Sequence, residues 1–101
     1  MKLGLQGKVI IVTGGGSGIG ASVVEKLSLI GATPVILDKS KPDTTSYENI
    51  KQRCPLAVWK TLNLCIDKEC EKAVKEILED FRQIDGLVNN AGINDSIGLR
   101  A

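Results

Sequence analysis

Lys8-Val-Ile-Ile-Val-Thr13 is an unbroken, largely β-branched run that ends in glycines, the pattern of a strand buried on both faces. After the glycines, Ile19, Val23, Leu27 and Ile30 recur at helical spacing and would line one face of a helix ending at Gly31. Pro34-Val-Ile-Leu-Asp38 reads as a second strand with proline first, where no interior ladder bond is lost, and it stops at a carboxylate. Lys39 to Asp43 is a polar turn and Thr45 to Arg53 a short helix. Leu56 to Leu62 alternates apolar and other residues, with Lys60 breaking one apolar row, which suits a strand near a sheet edge. Asp67 is placed to cap a helix in which Ala73, Val74, Ile77, Leu78 and Phe81 share a face, and Ile84 to Asn89 supplies a further strand.

Strands alternating with helices imply a parallel sheet with right-handed crossovers. The expected fold class is α/β, a partial Rossmann-like doubly wound parallel sheet of about four strands in the order 3-2-1-4 with three helices. The first two helices would cover one face and the third the other. The fourth strand is then an edge, and Leu87-Val88 is poorly protected.

Composition narrows the class. A chain of 101 residues carries one modest core, since folding at this size hides roughly 60–70% of the unfolded surface. With 43% hydrophobic and 25% charged residues it has the make-up of a globular protein rather than a disordered or membrane-inserted one. Thirteen basic against twelve acidic residues leave no surplus field to attract nucleic acid or an anionic membrane. No apolar stretch near Met1 reaches signal-peptide or transmembrane length, so a cytoplasmic location is expected. Cys54, Cys65 and Cys70 form an odd set with no Cys-x-x-Cys pair, and there is no histidine, so reduced, packed thiols are expected and no metal site.

The chemistry concentrates in Thr13-Gly-Gly-Gly-Ser-Gly-Ile-Gly20, between the first strand and the first helix. Glycine lets the backbone take positive φ and approach a ligand, while the free amides at a helix start direct donors at an anion. A pyrophosphate satisfies both. Gly14 and Gly18 would form the turn, Ser17 add a hydroxyl donor, Ile19 a backbone amide, and Gly20 would allow close packing of helix on strand. The Gly-Lys-Ser/Thr ending of a nucleoside-triphosphate loop is missing, which removes its phosphate lysine and magnesium hydroxyl. Asp38 ends the second strand at the distance where a carboxylate accepts from the adenosine ribose hydroxyls, and it would repel the 2′-phosphate of NADP. NAD is therefore favoured over NADP, with Lys39, directly after the acid, as the counter-indication.

Thr-Gly-x-x-x-Gly-x-Gly at 13–20 together with Asn89-Asn90-Ala91-Gly92, each following an expected strand, resembles the short-chain dehydrogenase/reductase family over essentially the whole chain. The resemblance implies that Asn90, Ala91 and Gly92 steady the central sheet and flank the adenosine ribose, and that Asn63 and Leu64 border the adenine. Many members carry Asp where Asn63 stands, but an amide carbonyl also accepts from the adenine amino group. The segment Gly92 to Leu99 is similar to that of the family's sugar dehydrogenases, those acting on L-fucose in particular.

The family's catalytic Ser and Tyr-x-x-x-Lys lie beyond the Asn-Asn-Ala-Gly segment, so residues 1–101 are expected to form a single NAD(P)-binding domain that stops before them, with no catalytic residue of its own. Tyr47-Glu-Asn-Ile-Lys51 spells the spacing but falls between the second and third strands. Two readings follow. The chain is the NAD-binding portion of an oxidoreductase that moves hydride between NAD and a secondary alcohol or ketone such as a sugar, with the alcohol bound only by a longer form; or it is a non-catalytic dinucleotide-binding or assembly module. Family members are commonly dimers or tetramers, so an oligomer is compatible with both.

Overall fold

The computed structural model describes residues 4–15, 18–42 and 44–90. They form β1 (Val9–Thr13), α1 (Gly18–Leu29), β2 (Thr33–Asp38), α2 (Thr44–Arg53), β3 (Val58–Thr61), α3 (Asp67–Phe81) and β4 (Gly86–Asn89). The sheet order is β3-β2-β1-β4 and all three pairings are parallel, as expected from the strand–helix alternation and the usual order of a doubly wound sheet.

Side chains of β1 alternate between two cores. Ile10 and Val12 pack with Val24, Leu27, Ala32 and Ile36 beneath α1 and α2, whereas Val9 and Ile11 pack with Val35, Leu37, Ala73 and Ile77 beneath α3. The helix change of face follows from handedness. The chain steps from β1 to β2 to β3 in one direction, then returns past β1 to β4, and a right-handed crossover in the reverse direction must use the opposite face. Every residue of β1 is buried, as its β-branched run requires.

Several local expectations are corrected. Ile19, assigned to the inner face of α1, is 64% exposed, and the helix instead buries Gly20, Val24, Leu27 and Ser28. Gly20 must meet the β1 turn, and that contact rotates the apolar stripe by about one residue, leaving Val23 and Ile30 at its margin. Pro34 is the second residue of β2, not the first. Its missing N–H lies on the β3 side, where pairing begins only at Val35 opposite Val58, so no ladder bond is lost. β3 is shorter than 56–62 because Ala57 N–H closes a turn on the Cys54 carbonyl, which leaves Leu56 exposed. β4 likewise begins at Gly86, with Ile84 packed against the α3-side core ahead of it.

Asp67 is not the cap of α3 but its first residue. Ile66 occupies the cap without a side-chain bond, and Asp67 and Glu69 place acids in the first turn, where they favour the helix dipole. Of the expected α3 face only Ala73 and Ile77 are buried; Phe81 is half-buried, while Val74 and Leu78 remain exposed on the flank away from the core. Leu87 shares the register of Ile11, hence the α3 side of the sheet, and is 62% exposed, in keeping with an edge strand. The three cysteines are free; Cys54 and Cys70 are half-buried, but Cys65, in the turn before α3, is exposed rather than packed. No helix among the described residues is long and apolar enough to cross a membrane.

Asp85 ties β1 to the edge strand β4 at their start. Its N–H donates to the Val9 carbonyl at 2.8 Å, and its carboxylate accepts the Val9 N–H at 2.8 Å and the Gln83 amide at 2.6 Å. The Val9 amide, then the Gln83 amide, hold the Asp85 carboxyl below its usual range. A depressed folded-state value means stabilisation that is present above the unfolded value of about 4 and is lost as pH falls through the folded one. Thermal melts should therefore show Asp85→Asn less stable than the parent at neutral pH, with the gap narrowing below about pH 4. A gap that stayed constant to pH 2 would assign the effect to something other than this carboxylate.

Candidate functional site

In a parallel sheet all strands deliver their C-terminal ends to one side, so the residues following them converge. Here Gly14 follows β1, Asp38 closes β2, Asn63 and Leu64 follow β3, and Asn90 follows β4, with the start of α1 above them. The strand order reverses across β1, between β2 and β4, which opens a crevice at this place.

Gly14 takes φ of +68°, a conformation with little cost only for glycine. Its N–H donates to the Leu37 carbonyl at 2.8 Å and its carbonyl accepts from Asn90 Nδ2 at 3.0 Å. The turn is thus held by β2 on one side and by the end of β4 on the other. Gly20 presses onto the same carbonyl. A Cβ there would overlap Gly14 O and lie 2.7 Å from Asn90 Nδ2 and 2.9 Å from the Gly14 carbonyl carbon. No side chain fits, and the backbone at the α1 start is consequently bare. The first turn of α1 carries no acid to neutralise the positive helix end. Ile19 contributes its backbone there, with its side chain directed outward.

Asp38 is half-buried. Its Oδ1 accepts the Ser40 N–H at 3.0 Å, and its backbone carbonyl accepts from Leu62 N–H at 2.9 Å, which fixes it against the β3 end. Asn63 is exposed, but its Oδ1 already accepts the Cys65 N–H at 2.9 Å, and its own N–H donates to Glu69 at 2.8 Å. One lone pair of that amide carbonyl is therefore used locally. The Leu64 side chain packs against the α3-side core. Ser17, Ala91, Gly92 and the segment to Leu99 lie outside the described residues.

One expected site residue acts through a contact the sequence did not show, and one contributor was missed. Asn90 acts through its bond to Gly14 O across 76 positions of chain. Gly15 is buried, with a Cβ there placed 2.9 Å from Ile36 Cγ2 and 3.2 Å from Val24 Cγ2. The run of three glycines was the available signal for Gly15; nothing local pointed to the Asn90 contact. Asn89 accepts the Thr13 hydroxyl at 2.9 Å, a strand-to-strand tie. Tyr47 and Lys51 turn to different partners: Tyr47 Oη accepts the Trp59 N–H at 3.2 Å, and Lys51 Nζ donates to the Pro55 and Ala57 carbonyls at 2.8 and 3.0 Å. Among the described residues no three His, Cys, Asp or Glu side chains gather as a metal site.

Comparison with known proteins places this crevice in context. The family model described as short chain dehydrogenase matches residues 8–100. The chain is 37% identical over 86 residues to the L-fucose dehydrogenase of Bos taurus, covering 85% of this chain and 31% of that protein. It is 38% identical over 103 residues to a 3-oxoacyl-(acyl-carrier-protein) reductase of Aquifex aeolicus, covering 99% of this chain and 42% of that one. Among solved structures, Cj0485 dehydrogenase superposes with a TM-score of 0.86 at 30% identity, over 89% of this chain and 34% of its own. The chain thus spans well under half the length of these relatives. With a family model covering nearly all of it, and the glycine turn, strand order and Asn90 brace in one crevice, the chain belongs to the short chain dehydrogenase family.

Proposed function

We propose that these residues are the NAD-binding portion of an oxidoreductase that transfers hydride between NAD and a secondary alcohol or ketone, with a sugar as the substrate class. The observation that carries the cofactor half is the turn itself: Gly20 sits too close to Gly14 O for any Cβ, so the described start of α1 brings its backbone directly onto the turn. In this reading Gly14 shapes the turn while Gly18, Ile19 and Gly20 present amides to the pyrophosphate, with Ser17 adding a hydroxyl. Asp38 accepts from the adenosine ribose hydroxyls, Asn63 and Leu64 border the adenine, and Asn90, Ala91 and Gly92 flank the ribose. The bound nicotinamide would supply the hydride acceptor or donor; the protein supplies binding and orientation.

Asp38 supports NAD over NADP, because a carboxylate beside the 2′ position repels a phosphate. Relatives do not decide the point, since a 3-quinuclidinone reductase of Rhodotorula rubra, 25% identical with a TM-score of 0.72, is described as NADPH-dependent. The sugar class rests on relatives named as dehydrogenases of L-fucose, of D-xylose and of glucose and ribitol. The 101 residues by themselves bind without turnover in this reading, since the single tyrosine is engaged with β3 rather than with the crevice.

Calorimetric titration of the chain with NAD and NADP tests the proposal. Saturable NAD binding with weaker NADP binding is expected, and NAD at 100 times its Kd should stabilise the fold by about 2.7 kcal/mol in denaturant melts. No reduced nicotinamide should accumulate when secondary alcohols or sugars are added. Absence of heat and of stabilisation with either dinucleotide would refute the assignment.

A further inference from the structure

Ser40 is held at both ends. Its N–H donates to Asp38 Oδ1 at 3.0 Å, and its carbonyl accepts the indole N–H of Trp59 at 3.1 Å. Trp59 belongs to β3, opposite Ile36 of β2 in register, and faces the α1 and α2 side of the sheet. It is itself fixed twice. Its backbone N–H donates to Tyr47 Oη at 3.2 Å, and the two rings meet edge to face with centroids 5.9 Å apart. A chain of contacts therefore runs from α2 through the Trp59 indole to Ser40, and from Ser40 to the carboxylate that ends β2. Lys39, Ser40 and Lys41, the residues so anchored, are all exposed.

We propose that Trp59 is a positioning residue for cofactor choice: its indole N–H pins Ser40, and Ser40 holds the Asp38 carboxylate in the orientation that receives a ribose diol. The inference rests on the reading of Asp38 as the ribose acceptor. One residue carries both bonds, so where the Ser40 carbonyl is fastened decides where its N–H points. Two cations flank it at Lys39 and Lys41. Releasing Ser40 removes this bond from the carboxylate and lets those ammonium groups approach the 2′ position, which weakens discrimination against a phosphate there. The indole N–H thus acts on selectivity from a strand that touches no cofactor.

The test measures NAD and NADP affinities by calorimetry for the parent, Trp59→Phe, Tyr47→Phe and Asp38→Asn. Trp59→Phe keeps an aromatic ring against Tyr47 and deletes only the donor. A net hydrogen bond corresponds to a factor of about three to ten, so the NAD-to-NADP affinity ratio should fall by about that factor. Tyr47→Phe, which disturbs the same cluster without touching the indole bond, should lower stability and leave the ratio unchanged. Should Trp59→Phe fold poorly, the sulfur isostere 3-benzothienylalanine at position 59 removes the N–H with the ring shape retained, and the same fall is expected. An unchanged ratio in either donor-free variant, with Asp38→Asn still abolishing the preference, overturns the role of Trp59 alone. An unchanged ratio in Asp38→Asn overturns the ribose reading and this inference with it.

Discussion

Gly20→Ala is expected to abolish measurable dinucleotide binding and to destabilise the fold. The added methyl would meet the Gly14 carbonyl and Asn90 Nδ2, and neither is the loose end of a flexible side chain. Overpacking in a confined place costs about 1–3 kcal/mol and more where backbone must move. Here the backbone that would move is the turn that presents the amides, so binding suffers beyond stability. A loss of at least about 100-fold in NAD affinity, equivalent to roughly 2.7 kcal/mol, is expected by calorimetry. Gly18→Ala is the contrast. A Cβ at Gly18 meets nothing within 4 Å, and its only penalty is the left-handed φ of +59°, about 1–2 kcal/mol. If Gly20→Ala bound NAD as well as Gly18→Ala does, the close approach of helix to turn would have no part in recognition.

Ile77→Ala should be the most damaging simple truncation on the other face. Ile77 is fully buried, and with Ala73 it is all that α3 places in the closed part of the core. Truncating a buried isoleucine costs about 2–5 kcal/mol, a large share of the roughly 5–15 kcal/mol that holds a domain of this size together. At about 4–8 °C per kcal/mol the midpoint of thermal unfolding should drop by on the order of 10–40 °C. Leu78→Ala, on the exposed flank of the same helix, should change it by far less. Equal losses in the two variants would mean that the outer flank of α3 is covered in solution.

The strands were legible because the signals that specify them are local, and their order followed from the usual arrangement of a doubly wound sheet. Val9 to Val12 and Val35 to Leu37 are apolar without a break, which only a strand covered on both faces tolerates, and each is followed by a turn and a helical period. The crevice was legible for the same reason, since a parallel sheet puts Gly14, Asp38 and Asn90 at one end whatever the details. What sequence could not show depended on partners far along the chain. The rotation of α1 that exposes Ile19 is set by Gly20 against Gly14 and Asn90, a contact no periodicity encodes. The entry to α3 looked like a capping Asp67, whereas Asn63 and Glu69 do the local bonding and Ile66 takes the cap. Trp59 read as one residue of an alternating strand, and its bond to Ser40 appears only when β3 is laid beside β2.

The bond from Asn90 to Gly14 sets a lower limit on what can be transplanted. A graft of the first strand, glycine turn, first helix and second strand into another scaffold would carry every glycine of the turn and Asp38, yet leave one face of the turn carbonyl without its amide. Its ligand-ready shape is shared property of the outermost strand and the innermost one, so the smallest portable unit runs from β1 through β4 without omission.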